Sequence, residues 1–324
     1  MSVIYQCVPN FSEGRRPEVV AKIADAICSI SGANLIDRST DWDHNRCVMT
    51  ILGDADAIFN AALAAAQVAI AEIDLRTHTG IHPRIGALDV LPVVPLRNAG
   101  PEDAVELARK IGRELATQFN LPVYFYEWAA EPGRRSALPT LRRGGFEALQ
   151  NRVLMGELAP DAGPNRAHPT AGIAVVGARG PLVAYNVNFP APNADIAKHI
   201  ARKIRLERDV RPELTGVRAL GLFLASRESE FRAQVSMNLT RPELTPLPAI
   251  FQFIKNEASN FGVTRLESQI IGAIPQASLG GAMCDKICWN QSRPSQILEY
   301  SLALHNDSLR NAEKKRVRSN RQIT

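Results

Sequence analysis

The sequence predicts an α+β fold of two ferredoxin-like subdomains with a ligand groove between them. Three observations support this prediction. The chain has 324 residues, more than a single hydrophobic core usually accommodates. Strand-like and helix-like periodicities follow the order strand, helix, strand, strand, helix, strand, which is the order of a split βαβ unit. The same order of elements recurs in the second half, although the two halves share no repeated sequence.

The first half is expected to form one sheet with its helices on one face. Apolar residues at helical spacing predict the helices, and Pro101 stands at a first helical turn, where proline is favoured. The predicted strands lie at 3–9, 33–37, 47–52, 88–94 and 123–126. The predicted helices lie at 17–29, 55–73 and 101–119.

A loop-rich connector, 131–172, joins the two halves. In the second half, strands are expected at 172–177, 182–188, 217–224, 234–239 and 268–274. Helices are expected at 195–207 and 247–261, followed by a terminal helix. We therefore expect a first subdomain at 1–178, a second at 179–306 and a basic tail at 307–324.

The net charge of +5 is confined to the C-terminal tail. Six basic residues and a single glutamate lie between Arg310 and Arg321. A terminal basic run is typical of a solvated end, so the charge indicates no nucleic-acid partner. The N-terminus lacks a basic start and an apolar stretch, and no apolar run reaches ~18 residues, so we expect a cytoplasmic protein without membrane contact.

The five cysteines are odd in number and scattered, which favours reduced thiols over a disulfide framework. Cys284 and Cys288 have helical spacing, but no histidine or second cysteine pair follows them closely in sequence to complete a four-ligand zinc site. We therefore expect no metal at these cysteines.

The segment 74–89 is the first candidate for catalysis, because it concentrates titratable side chains in a loop. Its histidines, arginines and aspartates are Asp74, Arg76, His78, His82, Arg84 and Asp89. Such groups cannot be buried unpaired, and histidine has the unperturbed pKa that suits proton transfer near neutral pH. His82 precedes a proline, which favours an extended backbone, and Arg84 can bind a carboxylate in a bidentate manner.

The same loop raises the alternative of a metal hydrolase. His78 and His82 have the spacing of a two-histidine metal helix, but Gly80 and Pro83 disfavour a helix here. No glutamate follows His78, so the general base of a metalloprotease helix is missing. We expect no metal, and activity that survives exhaustive chelation would exclude this alternative.

Three other polar segments are candidates for binding, each with a structural alternative. Ser12 and the turn after it can offer a hydroxyl and backbone N–H groups to an anion, or can begin a helix. The segment 37–46 lacks the glycine and closing glutamate of a calcium loop, so it is either a polar turn or, because of Trp42, a ligand platform. The loop 163–172 is either a linker or a ligand contact.

A series of motifs runs along almost the whole chain. The longest are CVPNFSEG at 7–14, DHNR at 43–46 and DLRTHTGIHPRIGALD at 74–89. Shorter motifs follow, up to about residue 300: LPVYFY at 121–126, APDAGP at 159–164, GAR at 177–179, NVN at 186–188, AQVS at 233–236, SQ at 268–269 and ILEY at 297–300. Their residues and order resemble the formiminotransferase family. No cyclodeaminase segment follows, which is typical of the family's single-activity form.

The resemblance implies two α/β subdomains with a substrate tunnel between them, and a homodimer. It implies transfer of the formimino group of N-formimino-L-glutamate to N5 of tetrahydrofolate, free or polyglutamylated, in histidine degradation and one-carbon metabolism. It makes His82 the catalytic histidine and places folate against the loop 163–172. The expected substrate- and folate-binding residues are Ser12, Asp41, Asp43, Asn45, Arg46, Arg84, Gly163, Pro164, Asn165, Arg166, Ala167, His168, Pro169, Thr170, Ala171, Gly172, Arg179, Asn188 and Gln269.

One departure from the family concerns Ser39. It stands where the bifunctional animal members have an aspartate that supports the histidine. Asp41 and Asp43 are the alternative supports, and this assignment is open. Arg84, Arg46 or Arg179 is expected to hold the glutamate carboxylates, since guanidinium groups bind carboxylates well.

In this reaction a neutral His82 takes a proton from N5 and returns it to the departing glutamate nitrogen. No covalent intermediate is needed, which agrees with the missing nucleophilic serine or cysteine arrangement. Two alternatives stay open. One is a related transferase that uses N-formylglutamate, and the other is a folate-binding protein without turnover. The presence of His82, Arg84 and Asp89 together disfavours the second, because a carrier needs no proton shuttle.

Overall fold

The computed structural model describes residues 3–133, 138–224, 230–281, 284–290 and 292–308. The first subdomain contains β1 (Ile4–Cys7), β2 (Asn10–Phe11), α1 (Pro17–Cys28), β3 (Asn34–Asp41), β4 (Arg46–Gly53), α2 (Ala55–Glu72), β5 (Leu88–Arg97), α3 (Pro101–Phe119), β6 (Val123–Glu127), α4 (Leu138–Leu141), α5 (Gly145–Leu154) and β7 (Ala174–Ala178). The second contains β8 (Val183–Phe189), α6 (Asp195–Glu207), β9 (Val217–Phe223), β10 (Ala233–Leu239), α7 (Leu247–Ser259) and β11 (Glu267–Ile271). A helical segment over 298–308 follows.

The first sheet has the strand order β3-β4-β1/β2-β5-β7-β6. β1 and β2 are successive pieces of one strand, since both pair antiparallel with β4 and β5. The four positions from β3 to β5 have the antiparallel arrangement of a ferredoxin-like sheet, as predicted. β7 then pairs in parallel with both β5 and β6, which extends this sheet beyond the ferredoxin-like core.

The second sheet has the order β11-β8-β10-β9 and is antiparallel throughout. This is the ferredoxin-like order again, so the α+β prediction of two such units is confirmed. One assignment was wrong: the strand predicted at 172–177 belongs to the first sheet, not to the second. All five residues of β7 are buried, as parallel strands covered on both faces usually are, and such a run does not reveal which sheet it joins.

The helices of the first subdomain cover both faces of its sheet, not one face as predicted. α1, α2 and α3 pack on one side, where the buried alanines of α2 let the helix approach closely. Asp54 begins α2 by accepting the backbone N–H of Ala57 at 2.9 Å. α4 and α5 lie within the predicted connector and pack against the other face of β5, β7 and β6.

By length and composition, α2 would suffice to cross a membrane. Its buried side chains, however, include Ala61, Ala65 and Ala69, all at 0% exposure in the core of the first subdomain. An apolar helix of a soluble core has the same composition. The composition of α2 is therefore explained by packing.

In the second subdomain, α6 and α7 cover one face of the sheet and leave the other face to the first subdomain. Along β8, the apolar side chains of Val183, Tyr185, Val187 and Phe189 join the core, as the two-residue period of a strand requires. The alternate positions carry Ala184 and the amides of Asn186 and Asn188. Residues 309–324, which include most of the predicted basic tail, lie outside the described part of the chain.

Candidate active site

A cavity of about 200 Å³ lies between the two sheets. The polar and charged side chains from the first subdomain that line it include Gln6, Asn10, Asp41, His44, Arg46, His82, Tyr126, Glu127, Arg142 and Arg179. From the second subdomain it is lined by Asn186, Arg218, Ser236 and Asn238, among others. One wall is therefore rich in charge and imidazole, whereas the polar groups of the other are two amides, a hydroxyl and the guanidinium of Arg218.

The loop between α2 and β5 carries His82 into this cavity. It contains no helix, as Gly80 and Pro83 predicted. A side chain at Gly80 would come within 2.4 Å of the His44 carbonyl oxygen, and one at Gly86 within 2.0 Å of the Ile173 carbonyl oxygen. Both glycines are thus required by close backbone contacts, which hold the loop between the β3–β4 turn and the segment before β7.

His82 has a defined tautomer in its neutral form. Its Nδ1–H donates to the carbonyl oxygen of Pro83, with 2.8 Å between the atoms, which leaves Nε2 as the nitrogen with the lone pair. Burial lowers the pKa of His82 well below its usual value, and the positive charges of Arg46 and Arg142 lower it further. At neutral pH the ring is therefore uncharged and able to accept a proton at Nε2.

Asp89 organises the charges behind His82. It is fully buried, and its Oδ2 accepts hydrogen bonds from Arg46, at 2.7 Å, and from Arg142. Its Oδ1 accepts the backbone N–H of Ile85 at 2.9 Å. Although burial opposes ionisation, the two guanidinium groups hold the pKa of Asp89 well below its usual range. The Asp89 carboxylate is thus a fixed counter-charge that orients both arginines.

A second histidine faces His82 across the cavity. The ring centroids of His44 and His82 are 5.5 Å apart, and the planes are inclined by 35°. The Nε2–H of His44 donates to Oε1 of Gln234 at 3.1 Å, and Nε2 of Gln234 donates to Oδ1 of Asn188 at 3.0 Å. This chain of hydrogen bonds joins the β3–β4 turn of the first subdomain to β10 and β8 of the second.

His78 and Arg84 form a structural pair. Nε2–H of His78 donates to the Asn45 carbonyl oxygen at 2.9 Å, and Nδ1 of His78 accepts the Nε–H of Arg84 at 2.9 Å. Arg84 also pairs with Glu147, at 2.8 Å. Arg84 does not line the cavity. The structure thus places this predicted carboxylate anchor within the framework that supports the loop.

Three other predicted binding residues do line the cavity: Asp41, Arg46 and Arg179. Asp41 also accepts the backbone N–H of His44 at 2.8 Å, and the Arg179 guanidinium hydrogen-bonds the Tyr126 hydroxyl. Asn188 and Gln269 line an adjoining groove of about 360 Å³ between the subdomains.

Ser39 lies where the cavity and this adjoining groove meet. Its hydroxyl donates to Asp37 at 2.7 Å, and Arg293 pairs with the same carboxylate. Burial nevertheless raises the pKa of Asp37. Among the carboxylates whose charge acts on His82, Asp89 is the one that raises the pKa of the ring. Asp89 is thus a third alternative to Asp41 and Asp43 as the support of His82.

Ser12, Asp43 and Asn45 are buried around the loop and form its framework. The Ser12 hydroxyl donates to the Gly86 carbonyl oxygen at 2.7 Å. Asn45 has a left-handed backbone (φ 47°), and its side chain accepts the N–H of Gly14 and donates to the Thr79 carbonyl oxygen.

The loop 163–172 lies away from the cavity. Its residues Arg166 to Pro169 line a separate groove of about 640 Å³ together with Arg76 and Glu147. Nδ1 of His168 accepts the backbone N–H of Ala171 at 3.0 Å, which closes a tight turn. None of the ten residues lines the cavity that contains His82. Contact between this loop and folate stays a prediction.

Sequence reasoning missed several residues of this cavity. Arg142 follows the short helix α4 in a segment predicted as connector, and nothing in its local sequence signals a role. Arg218 lies on β9 as an ordinary strand residue. His44 and Gln234 did belong to the DHNR and AQVS motifs, but their contact spans 190 positions and is visible only in the fold.

The described cysteines offer no activated nucleophile near His82. Burial raises the pKa of both Cys7 and Cys47 to about 12, so neither is a thiolate at neutral pH. The side chain of Cys284, considered above with Cys288, lies outside the described residues. The chemistry available in the cavity is therefore proton transfer and charge recognition.

Residues 4–179 match the N-terminal subdomain of the formiminotransferase domain, and residues 184–285 match the formiminotransferase domain. The chain is 38% identical to the glutamate formimidoyltransferase of Streptococcus pyogenes serotype M1, over 86% of this chain and 91% of that protein. It is 39% identical to the enzyme of the same name from Thermoplasma acidophilum, over 86% and 90%. It is 37% identical to the formimidoyltransferase-cyclodeaminase of Rattus norvegicus, over 88% of this chain and 53% of that protein.

The fold, the site and these matches define an enzyme of the transferase class. More particularly, the chain belongs to the formiminotransferase family, as its motifs predicted.

Proposed function

We propose that this enzyme transfers the formimino group of N-formimino-L-glutamate to N5 of tetrahydrofolate, giving 5-formiminotetrahydrofolate and L-glutamate. The observation that carries the proposal is His82: its Nδ1–H is tied to the Pro83 carbonyl oxygen, and its ring faces an arginine-lined cavity between two sheets. The names of the relatives support the donor, and the family implies folate as co-substrate.

The proposed chemistry needs one group that both accepts and returns a proton. Tetrahydrofolate supplies the nucleophilic secondary amine, N5. Nε2 of His82 accepts the proton that N5 loses as the new N–C bond forms. His82 then returns this proton to the glutamate nitrogen as the old C–N bond breaks, so protons balance over the cycle. Holding both substrates in one cavity supplies the rest of the catalysis through proximity and orientation.

Arginines recognise the carboxylates of the donor in this proposal. Arg142, Arg179 and Arg218 line the cavity, whereas Arg84 is engaged with His78 and Glu147. Asp89 holds the Arg142 and Arg46 guanidinium groups in place. A fixed guanidinium loses less side-chain entropy on binding a carboxylate. Such an arginine therefore distinguishes strongly between donors that carry the carboxylate and those that lack it.

The remaining expectations also belong to this proposal. They are subdomain boundaries near residue 178, a cytoplasmic homodimer acting in histidine degradation, and acceptance of polyglutamylated folate. Folate contacts from the loop 163–172 are included, although this loop lines a separate groove. Partners are small molecules, with no nucleic acid or membrane.

One experiment tests the proposal against its alternatives. Purified enzyme is given tetrahydrofolate with either N-formimino-L-glutamate or N-formyl-L-glutamate, and the folate product is measured. Turnover with the formimino donor is expected. Turnover with only the formyl donor would replace the proposal by the formyltransferase alternative, and saturable folate binding without either product would favour a carrier.

A further inference from the structure

The rings of His44 and His82, both from the first subdomain, pack against each other inside the cavity. His82 belongs to the loop before β5, and His44 to the turn between β3 and β4. The two rings pack at 5.5 Å inside the cavity. His44 is only 7% exposed, so the ring has little room to turn. The orientation of His82 is therefore limited on one side by His44.

His44 is held by the second subdomain. Gln234 is fully buried, and its amide nitrogen is already committed to Oδ1 of Asn188, at 3.0 Å. Gln234 must therefore present its Oε1 to His44, which requires the proton of His44 on Nε2. This bond joins side chains 190 positions apart, and it exists only when the two subdomains are docked.

The backbone of His44 is held from the other side. Asp41 accepts the His44 N–H at 2.8 Å, and the left-handed Asn45 that follows is tied to Gly14 and Thr79 by its side chain. The backbone of His44 is thus positioned by the first subdomain and its ring by the second. A small movement between the subdomains would move the ring that faces His82.

We propose that His44 is a positioning residue: through the Gln234–Asn188 pair, it makes the productive orientation of His82 depend on the docking of the two subdomains. This inference rests on the proposed proton transfer by His82. It explains why a buried amide pair of the second sheet points at an imidazole of the first.

The electrostatic surroundings supply a second readout. Burial lowers the pKa of His82 most, Arg46, Arg142 and His44 lower it further, and Asp89 raises it. From β10 and β8, the hydrogen-bonded neighbours of His44 are neutral amides. The charged or titratable groups lining the cavity with the two rings are Asp41, Arg46, Tyr126, Glu127, Arg142, Arg179 and Arg218. Because His44 is among the groups that lower the pKa of His82, its loss is expected to raise that pKa.

The test is a double-mutant cycle on the full-length enzyme. His44→Phe keeps a ring against His82 but cannot donate to Gln234, and Gln234→Leu removes the acceptor. Each variant is expected to lower kcat by about 10- to 100-fold, the size of a small misplacement, with both KM values within about threefold of wild type. The double variant is expected to be no worse than the poorer single variant, since both break one contact.

Multiplicative losses in the double variant, or wild-type kcat in either single variant, would overturn the inference. Gln252→Leu is the matched control, because this exposed glutamine of α7 hydrogen-bonds to Asn256 on the same helix, away from the cavity. Its kcat is expected to stay unchanged.

A readout without turnover separates this inference from the proposed function. NMR titration of the His82 imidazole in the full-length protein is expected to show a higher pKa in His44→Phe than in wild type. If neither donor is turned over, the titration still tests the contact between the rings. An unchanged His82 titration together with unchanged kcat would leave His44 a purely structural residue.

Discussion

Arg84 donates its Nε–H to Nδ1 of His78, with 2.9 Å between the nitrogens, and its two terminal nitrogens reach Glu147. Both ring nitrogens of His78 are thereby used, since Nε2 donates to Asn45. Two residues that a sequence comparison would group with the catalytic machinery therefore serve to shape the loop. The neighbouring His82 keeps the lone pair of its Nε2, as the proposed proton transfer requires.

Arginine substitutions are expected to separate donor binding from loop support. Arg142→Gln should raise the KM for the glutamate donor by about tenfold, because a charge-assisted hydrogen bond contributes on the order of 1.5 kcal/mol or more. Arg84→Gln should leave that KM within about threefold and lower the melting temperature. Steady-state kinetics at saturating tetrahydrofolate measures both effects.

The control for Arg142 is its neighbour Arg143, which is largely exposed and pairs with Glu157. Arg143→Gln is expected to behave as wild type. A larger rise in donor KM for Arg84→Gln than for Arg142→Gln would show that Arg84, and not Arg142, binds the donor carboxylate.

His82→Ala is expected to lower kcat by about 10²- to 10⁴-fold, the usual contribution of a general acid–base. Tetrahydrofolate affinity should stay within about twofold, since the substitution removes a proton carrier and not a binding surface. The measurements are single-turnover kinetics and folate titration. His199→Ala, on the exposed side of α6, is the matched control. Unchanged turnover in His82→Ala would remove His82 from the mechanism.

The pH profile of kcat/KM should show the lowered pKa of His82. Burial and two arginines lower the pKa of His82 well below 6.5, so the base form predominates at neutral pH. Activity is lost as pH falls through this lowered pKa, because protonated His82 cannot accept the proton of N5. The acid limb is therefore expected below pH 6.5, and in Arg142→Gln it should move to higher pH. A limb above 6.5 in wild type would contradict the lowered pKa of His82.

Asp89→Asn is expected to destabilise the fold by about 3–5 kcal/mol, because it leaves two buried guanidinium groups without their counter-charge. The pKa of Asp89 is lowered in the folded state, so its contribution is complete above the unfolded value of about 3.9 and is lost as pH falls through the folded value. Urea unfolding at pH 7 measures the difference. Asp74→Asn, which affects an exposed pair with Arg76, should leave the free energy of unfolding nearly unchanged.

Gly86→Ala tests the close packing of the loop 74–89. Its new Cβ would lie 2.0 Å from the Ile173 carbonyl oxygen and 2.5 Å from that of Leu88, so backbone must shift. We expect a loss of about 1–3 kcal/mol in unfolding free energy together with reduced kcat. Gly180→Ala places its Cβ at ordinary contact distance, 3.7 Å from Trp128, and serves as the control. Equal stability of the two variants would argue against a rigid loop.

The helices and strands could be predicted from the sequence more completely than the way in which the strands pair into sheets. The alanine-rich run of α2 and the alternation along β8 each follow from a local period, which the chain displays directly. β7 was assigned to the wrong sheet because a fully buried strand carries no sign of its neighbours. α5 was missed because it begins at Gly144 and Gly145, both with left-handed backbones, and glycine pairs usually mark loops.

The same limit applies to the site. His82 was predicted as the catalytic candidate because the charged segment 74–89 is continuous in sequence. The partners that set its chemistry come from distant segments: Arg142 reaches Asp89 across 53 positions, and Gln234 reaches His44 across 190. The local sequence around an arginine or glutamine in an ordinary strand or turn does not predict such a contact. Tertiary packing alone brings these groups together.

The position of β7 has a consequence for how the protein is made. β5 and β6 leave the ribosome long before residues 174–178, and until β7 is inserted the apolar strand β5 keeps one edge unpaired. An exposed apolar edge invites pairing with other chains. Translation pauses or truncations inside the connector are therefore expected to yield aggregates. A chain that ends after residue 178 contains every strand of the first sheet, so β7 can pair with β5.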